Sequence, residues 1–284
     1  MPIEFNSEKT YAVIGDPIKH SLSPEMQNIA FKDANLGEPY TKIHIPSDLL
    51  EAFCCFAREG IKGFNVTVPH KNAIISCLDE ISDECKLSGS VNTVINRDGK
   101  LYGYSTDGYG LATAFKEAFN IDVKNGKFSF IGCGGAVKAV AFYFATQGAK
   151  ELMFFNRTVA SAEELAQKIN DNFPKCKASA FSISDENSIK ENFANSDVII
   201  QGTSLGLKEN DPSPINVELL PKGKNFYETI YKETKMVKAA KAKNMKIADG
   251  RSMLLHQGAE SFRIWTGLEP NIELMRKKLD ELLQ

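Results

Sequence analysis

The sequence predicts an α/β protein of two domains, on three observations. Apolar runs with a period of two alternate with segments whose apolar residues recur at helical spacing, the pattern of a mostly parallel sheet covered by helices. The alternation runs twice, once up to about residue 107 and again from about residue 127. The chain has 284 residues, 43% hydrophobic and 25% charged, enough for one large or two ordinary globular domains with full cores.

In the first series YAVIG (11–15) reads as a buried strand. SPEMQNIAFKDA (23–34) follows as a helix, with Ser23 as N-cap and Pro24 at the first position. YTKIHI (40–45) is a strand, and Ser47 opens the helix DLLEAFCCFARE. IKGFNVTV is the third strand, because Phe64, Val66 and Val68 alternate with Asn65 and Thr67. Pro69 lacks the N–H a ladder needs and ends it. Ile74, Ile75 and Leu78 then recur at helical spacing, which puts Pro69 at the first helical position and Lys71 in the first turn. A cation there opposes the helix dipole, so Lys71 needs a reason from elsewhere. VNTVIN (91–96) and LYGYST (101–106) flank Arg97, Asp98 and Gly99, an Asp-Gly hairpin signal that adds an antiparallel edge.

A short connection over residues 107–125 leads to the second series. KFSFIG (127–132) is a strand and AVKAVAFYFATQ (136–147) an apolar helix, its FYFAT run a core feature. ELMFF, KASAF and DVIIQ are further strands with helices between, and NFYETI (225–230) is the last. From IADG (247–250) onward the chain reads as helical, through RSMLLHQGAESFRIW and NIELMRKKLDELL, a tail that must pack on one of the two units.

The charge balance excludes several classes of function. With 34 basic and 36 acidic residues the net charge is −2, which gives no electrostatic reason for a nucleic-acid or membrane partner. The start MPIEFNSEKT is polar and has no apolar core of a secretory signal, and no stretch reaches the length of a membrane span, so the expected compartment is cytoplasmic. Cys54, Cys55, Cys77, Cys85, Cys133 and Cys176 form no CxxC pair and have no histidine at metal-ligand spacing, so they read as buried reduced thiols. His20, His44, His70 and His256 are scattered and read as surface or packing residues; no metal is expected.

Two places carry chemistry. IGCGGAVKA (131–139) follows a strand and opens a helix, so Gly132, Gly134 and Gly135 allow a tight turn and close approach of a pyrophosphate to the helix N-terminus. The third glycine of GxGxxG is replaced by Val137, with Ala136 and Ala139 supplying close packing. The next strand ends at Asn156, Arg157 and Thr158, where an NAD site has a carboxylate and an arginine instead accommodates a 2′-phosphate. Arg157 therefore favours NADP over NAD, the alternative being a solvated residue at a strand end. Asp107, in GYSTDGYG, stands at a strand end ahead of LATAFKEAF, where an N-cap is its ordinary use. Lys71 and Asp107 both lie at C-terminal strand ends, the edge where open α/β sheets bind ligands. If they meet, the carboxylate holds a lysine placed for acid–base catalysis. Ser21, Ser23, Asn65, Thr67 and Asn92 crowd the same edge; singly each is a cap or turn residue, together they describe a pocket for a small polyhydroxylated ligand.

Taken in order, VIGDPIKHSLSP, GFNVTVPHK, GSVNT, STDG, IGCGGAVKA, NRT, GTSLG and the DG, ML and Gln257 of the last series resemble the shikimate dehydrogenases, including the shikimate/quinate group, from about residue 11 to 267. The resemblance implies a mostly parallel α/β substrate domain (1–108, completed by 250–284) and a Rossmann NADP-binding domain (109–249). It implies reversible reduction of 3-dehydroshikimate to shikimate in aromatic amino acid biosynthesis, on a polyhydroxylated cyclohexene carboxylate. Lys71 and Asp107 match its catalytic pair. Ser21, Ser23, Thr67, Asn92, Tyr231 and Gln257 match substrate positions, with Asn65 nearby. Gly132, Cys133, Gly134, Gly135, Ala136, Asn156, Arg157, Thr158, Thr229, Gly250 and Asp83 match cofactor positions. The sequence departs from the family at Gln27, Ser105, Ser161, Gln201 and Leu207. Alternatives are a quinate/shikimate enzyme using NAD and a non-catalytic dinucleotide- or metabolite-binding regulator. The expected assembly is a monomer or homodimer, with another shikimate-pathway enzyme as a further partner.

Overall fold

The structure is a computed structural model and describes residues 10–283, so the N-terminal stretch read for a secretory signal lies outside it, Thr10 apart. Two compact units divide the chain. One takes residues up to Gly110 together with those from Leu254, the other Leu111–Met253.

In the first unit the elements are β1 (Tyr11–Gly15), α1 (Ser23–Asp33), β2 (Tyr40–His44), α2 (Leu50–Gly60), β3 (Gly63–Val66), β4 (Glu80–Ile81), α3 (Asp83–Ser88), β5 (Thr93–Arg97) and β6 (Lys100–Tyr104). The strand order is β2-β1-β3-β5-β6-β4. β1 is parallel to β2 and β3, whereas β3–β5 and β5–β6 are antiparallel. Two reversals make β6 parallel to β3. The ends of β1, β3 and β6 and the beginning of β5 therefore lie along one edge of the sheet.

The hairpin forms where expected, with Asp98 and Gly99 at φ 52° and 82°, the left-handed pair of a two-residue turn. It is not the sheet's edge, since the two-residue β4 lies parallel beyond β6. The short β4 has no alternating pattern to announce it.

Period two shows in β1. Ala12 and Ile14 enter a core with Phe53, Ala57 and Phe64, while Tyr11 and Val13 enter another with Phe31, Phe262, Trp265 and Met275. The second core holds the helical tail on this unit. Trp265 donates from Nε1 to the Val94 carbonyl at 2.9 Å, over Gly63, where a methyl group would collide with the indole.

α4 (Asp107–Phe119) carries the chain from the first unit into the second, replacing the short connection expected there. The second unit then has β7 (Lys127–Ile131), α5 (Gly135–Thr146), β8 (Glu151–Asn156), α6 (Val159–Asn172), β9 (Lys177–Ser182), α7 (Glu186–Asn195), β10 (Val198–Gln201), β11 (Asn225–Glu228), α8 (Lys235–Ala242) and β12 (Lys246–Asp249). α9 (Gly250–Thr266) returns to the first unit and α10 (Ile272–Leu282) ends the described chain. The second sheet is parallel throughout, ordered β12-β11-β10-β7-β8-β9. Counted along the chain that is 3-2-1-4-5-6, the doubly wound Rossmann order. Its four central strands, β7, β8, β10 and β11, are buried on both faces; Phe128, Phe130, Phe144 and Phe154 are fully buried and in ring contact.

Three helix and strand expectations change. Residues 247–249, read as the start of the helical tail, belong instead to the edge strand β12. Ser23 is inside α1; Leu22 takes the cap position without a side-chain bond, and Ser21 Oγ accepts from Ser23 N at 3.3 Å. No α-helix follows Pro69: residues 68–72 form turns, and Ala73–Cys77 is a 3₁₀ helix.

Candidate active site

The end of β3 is laced into the sheet before it turns. Thr67 N donates to the Ile14 carbonyl and Asp16 N to the Val68 carbonyl, each at 3.0 Å. His70 is buried and its Nε2 lies 2.6 Å from the Ile45 carbonyl oxygen, which makes it a structural anchor. Lys71 follows, and its own carbonyl accepts from Val91 N at 2.9 Å. The turn is thus pinned on both sides, and Lys71 is not in a helix. Its placement is explained by its partner and not by a conflict with a dipole.

That partner is Asp107. Lys71 Nζ lies 2.5 Å from Asp107 Oδ2, with the side chains 16% and 7% exposed. Asp107 is the first residue of α4, where the helix dipole and free N–H groups favour a carboxylate. Its other oxygen, Oδ1, accepts from Asn92 Nδ2 at 2.9 Å. A charge-assisted bond on one oxygen and an amide on the other fix the carboxylate in rotation.

Asn92 is the hub of a buried network. Its Nδ2 also faces Thr106 Oγ1 at 2.9 Å and Gln257 Oε1 at 3.3 Å, and its Oδ1 accepts from Thr106 N at 2.9 Å. Asn65 sits one strand away and is spent on the protein: Oδ1 accepts from Tyr40 OH at 2.7 Å, and Nδ2 faces Ser261 Oγ at 2.9 Å. Ser261, absent from the sequence reading, bonds the Gln257 carbonyl at 2.9 Å and lies 2.8 Å from Thr93 Oγ1. The signal that could have found it is its spacing of four from Gln257, which puts both on one face of α9. Ser21, Ser23 and Thr67 follow β1 and β3 at the same sheet edge. Ser23 is buried, the other two half-buried.

The second unit carries the remaining residues. Gly132, at φ 99°, ends β7, and a methyl group on it would stand 2.7 Å from Thr203 Cγ2. Gly134 caps α5, is exposed and has open space where a side chain would be. Ala136 is exposed and the first turn of α5 holds no acidic residue, so its free N–H groups face outward over an uncrowded turn. This cradle fits a dinucleotide pyrophosphate. The Cys133 thiol is buried, which pushes it up to about 12 and keeps it neutral.

Gly132 N donates to the Phe155 carbonyl at 2.8 Å, which joins the turn to the end of β8. Arg157 and Thr158 are exposed there, and Asn156 Nδ2 shapes the bend by donating to the Thr158 carbonyl at 2.9 Å. Thr229, Tyr231 and Gly250 form another group in this unit. A methyl group on Gly250 would collide with the Thr229 carbonyl, and Tyr231 lies beside it, 41% exposed. Gln201 laces the GTSLG turn, accepting from Thr203 N at 2.6 Å and donating to the Leu205 carbonyl at 3.0 Å.

Asp83 differs from the other expected cofactor residues. It belongs to the first unit, its side chain is 93% exposed, and Lys86 holds it at 2.7 Å. Its neighbour Glu84 is the inward one, with Oε1 buried. The thiols are free, but Cys55 is exposed and Cys77 half-buried, against the expectation that all six are buried. Among the described residues no group of three His, Cys, Asp or Glu could hold a metal, and no helix is long and apolar enough to cross a membrane.

Three family models match the chain: the shikimate dehydrogenase substrate binding domain over residues 13–94, shikimate / quinate 5-dehydrogenase over 113–207, and the shikimate 5′-dehydrogenase C-terminal domain over 250–279. A shikimate dehydrogenase (NADP(+)) from Geobacillus sp. (strain WCH70) is 37% identical over 281 residues, covering 98% of this chain and 99% of its own. One from Aquifex aeolicus (strain VF5) is 40% identical over 273 residues, 96% of each chain. Among solved structures, a shikimate dehydrogenase in complex with NADP+ superposes with a TM-score of 0.88 at 36% identity, covering 99% of this chain and 98% of that one. The Listeria monocytogenes shikimate 5-dehydrogenase in complex with shikimate and NAD gives 0.88 at 32% identity, with 98% of each covered. Matched along nearly its whole length, in sequence and in structure, the chain belongs to the shikimate dehydrogenase family.

Proposed function

We propose that this chain catalyses the reversible, NADP-dependent reduction of 3-dehydroshikimate to shikimate, with Lys71 and Asp107 as its acid–base pair. The observation that carries the reading is the 2.5 Å contact of Lys71 Nζ with a carboxylate whose other oxygen is held by Asn92. Ser21, Ser23, Thr67, Asn92 and Gln257 of the first unit bind the ring hydroxyls and carboxylate of the substrate, and Tyr231 is a further substrate position on the family resemblance alone. Asn65 supports Asn92 and Thr93 from behind, through Nδ2 contacts at 3.1 Å to the Asn92 carbonyl and Thr93 Oγ1.

NADP is held at its pyrophosphate by Gly132, Cys133, Gly134, Gly135 and Ala136, at its 2′-phosphate by Asn156, Arg157 and Thr158, and further along by Thr229 and Gly250. When bound, it supplies or takes up the hydride, and the protein supplies geometry and the proton. In the reducing direction Lys71 gives a proton from Nζ to the carbonyl oxygen, which stays on the ring as the new hydroxyl. In the oxidising direction neutral Lys71 takes that proton back. Asp107 keeps Nζ aimed during both, and the Asn92 bond stops the carboxylate from swinging away.

The test mixes purified protein with shikimate and NADP+, then exchanges NADP+ for NAD+ and shikimate for quinate, and follows absorbance of the reduced nicotinamide. Turnover is expected to be fastest with shikimate and NADP+. Faster turnover of quinate with NAD+ would overturn the substrate and cofactor assignment. Tight cofactor binding without turnover of any pair would make the chain a regulator.

A further inference from the structure

We propose that Gln27 is a positioning residue for the substrate site, holding Gln257 in place against Asn92 from a separate helix. The inference rests on the substrate role of Gln257 given above. Gln27 lies on α1, one turn beyond Ser23, and its side chain has no exposure. Its Nε2 donates to the Gly258 carbonyl at 2.8 Å. Its Oε1 is buried and meets no donor among the described residues. A buried amide with one end unsatisfied is less stable there than an apolar side chain of the same shape. Packing alone does not account for such a residue; the place where its bond lands does.

Gly258 follows Gln257 on α9. A methyl group on it would stand 2.5 Å from Met26 Cε and 3.3 Å from Gln27 Nε2, so glycine is what lets the two helices close. α1 is itself fixed to the sheet, because Asn28 Oδ1 accepts from Tyr40 N and Asn28 Nδ2 donates to the Tyr40 carbonyl, both at 2.9 Å. Two successive carbonyls of α9 are thus held, Gln257 by Ser261 Oγ at 2.9 Å and Gly258 by Gln27. The Ser261 bond lies within α9 and moves with it. The Gln27 bond comes from another element and anchors the helix. From Gln257 the contacts run on to the proton pair. Gln257 Oε1 lies 3.3 Å from Asn92 Nδ2, which donates to Asp107 Oδ1 at 2.9 Å, and Asp107 Oδ2 lies 2.5 Å from Lys71 Nζ.

The lengths along this chain say which link gives first. Asn92 Nδ2 is 2.9 Å from both Thr106 Oγ1 and Asp107 Oδ1, but 3.3 Å from Gln257 Oε1. A hydrogen bond already at that length is lost by a small shift of α9, while the two shorter ones stay. Loss of the Gln27 bond therefore loosens Gln257 and leaves Asp107 and Lys71 in place. Substrate affinity falls, and the proton chemistry is kept.

The experiment measures shikimate binding by titration calorimetry, and kcat with NADP+, in the wild type, Gln27→Met, Gln257→Met and the double variant. Methionine keeps the length of glutamine and removes both polar atoms. Gln27→Met is expected to weaken shikimate binding roughly three- to tenfold, the effect of one hydrogen bond, with kcat falling less than about twofold. Its melting temperature is expected to equal or exceed that of the wild type, since an unsatisfied oxygen leaves the interior. In the Gln257→Met background the same change is expected to add less than about twofold, because the residue it acts through is gone. Unchanged binding in Gln27→Met, beside a loss in Gln257→Met, would overturn the proposal. Losses that multiply in the double variant, or a lowered melting temperature with binding intact, would do the same. If the wild type bound no shikimate, the reading of function would fail, and hydrogen exchange without ligand would still judge Gln27. Faster exchange in peptides covering residues 254–261 of Gln27→Met is expected there, and equal exchange would overturn the anchoring.

Discussion

Lys71 and Asp107 divide one task, and their removal is expected to show it. If Lys71 is the proton donor proposed above, Lys71→Ala is expected to lower kcat by roughly 10²–10⁴-fold with KM little changed. Steady-state kinetics in both directions checks this; a fall carried wholly by KM would make Lys71 a binding residue. Arg157 has the opposite profile. It is exposed, at the end of β8, and far in sequence from the proton chemistry. Arg157→Ala is expected to raise KM for NADP+ by tenfold or more, in line with one lost charge-assisted bond, and to leave NAD+ nearly unaffected. Equal losses with both cofactors would show that Arg157 does not meet the 2′-phosphate. Lys71 and Arg157 stood out in the sequence as cations at strand ends, whereas Asp107 is an ordinary cap by itself and gains its meaning from Lys71, which the structure sets 2.5 Å from it. Ser261 did not stand out, because a serine on a helix is ordinary and only packing turns it toward the network.

Elements were legible where periodicity was long and lost where it was short. The strands from β7 to β11 and the two tail helices announce themselves by apolar runs and spacing. β4 and β12 do not: two and four residues are too few to show a period, and β12 is only half-buried at the sheet's edge. The segment after Pro69 misled for a different reason, because a 3₁₀ helix and an α-helix share the apolar spacing seen at Ile74, Ile75 and Leu78. The loop after β11 shows what an element's end contributes. Glu228 is fully buried; Oε2 accepts from Thr234 Oγ1 at 2.7 Å and Oε1 from Ile230 N at 3.3 Å, which shapes the Thr229 and Tyr231 segment. Burial raises its carboxyl to about 7, the bonds opposing this only in part. A folded value above the unfolded one means that the protonated form is the one the fold prefers. That stability is fully present below the ordinary glutamate range and is lost as pH rises through about 7. The loss is on the order of 3 kcal/mol at most. The melting temperature is expected to fall from pH 5 to pH 8, and Glu228→Gln, neutral and nearly isosteric, is expected to flatten that fall. An unchanged slope in the variant, measured by calorimetry, would show that Glu228 is already ionised in the fold.

Two cores in one chain make ligand protection a regional quantity. The first unit is held by its own clusters around Phe64 and Trp265, the second by Phe-rich packing on a parallel sheet. Each sheet presents its own chemistry: the Lys71 network in the first unit, the glycine turn and Arg157 in the second. A ligand that binds only the native form adds RT ln(1 + [L]/Kd), about 2.7 kcal/mol at a hundredfold excess over Kd, to the openings that its contacts close. Hydrogen exchange read by mass spectrometry should therefore map the two ligands separately. NADP+ alone is expected to slow exchange in peptides covering residues 131–140, 155–160 and 201–206. Shikimate alone is expected to slow those covering 65–72, 90–107 and 254–261, with a smaller effect around Tyr231. Protection by NADP+ concentrated on the first unit's network, or by shikimate on the glycine turn, would reverse the assignment of the units.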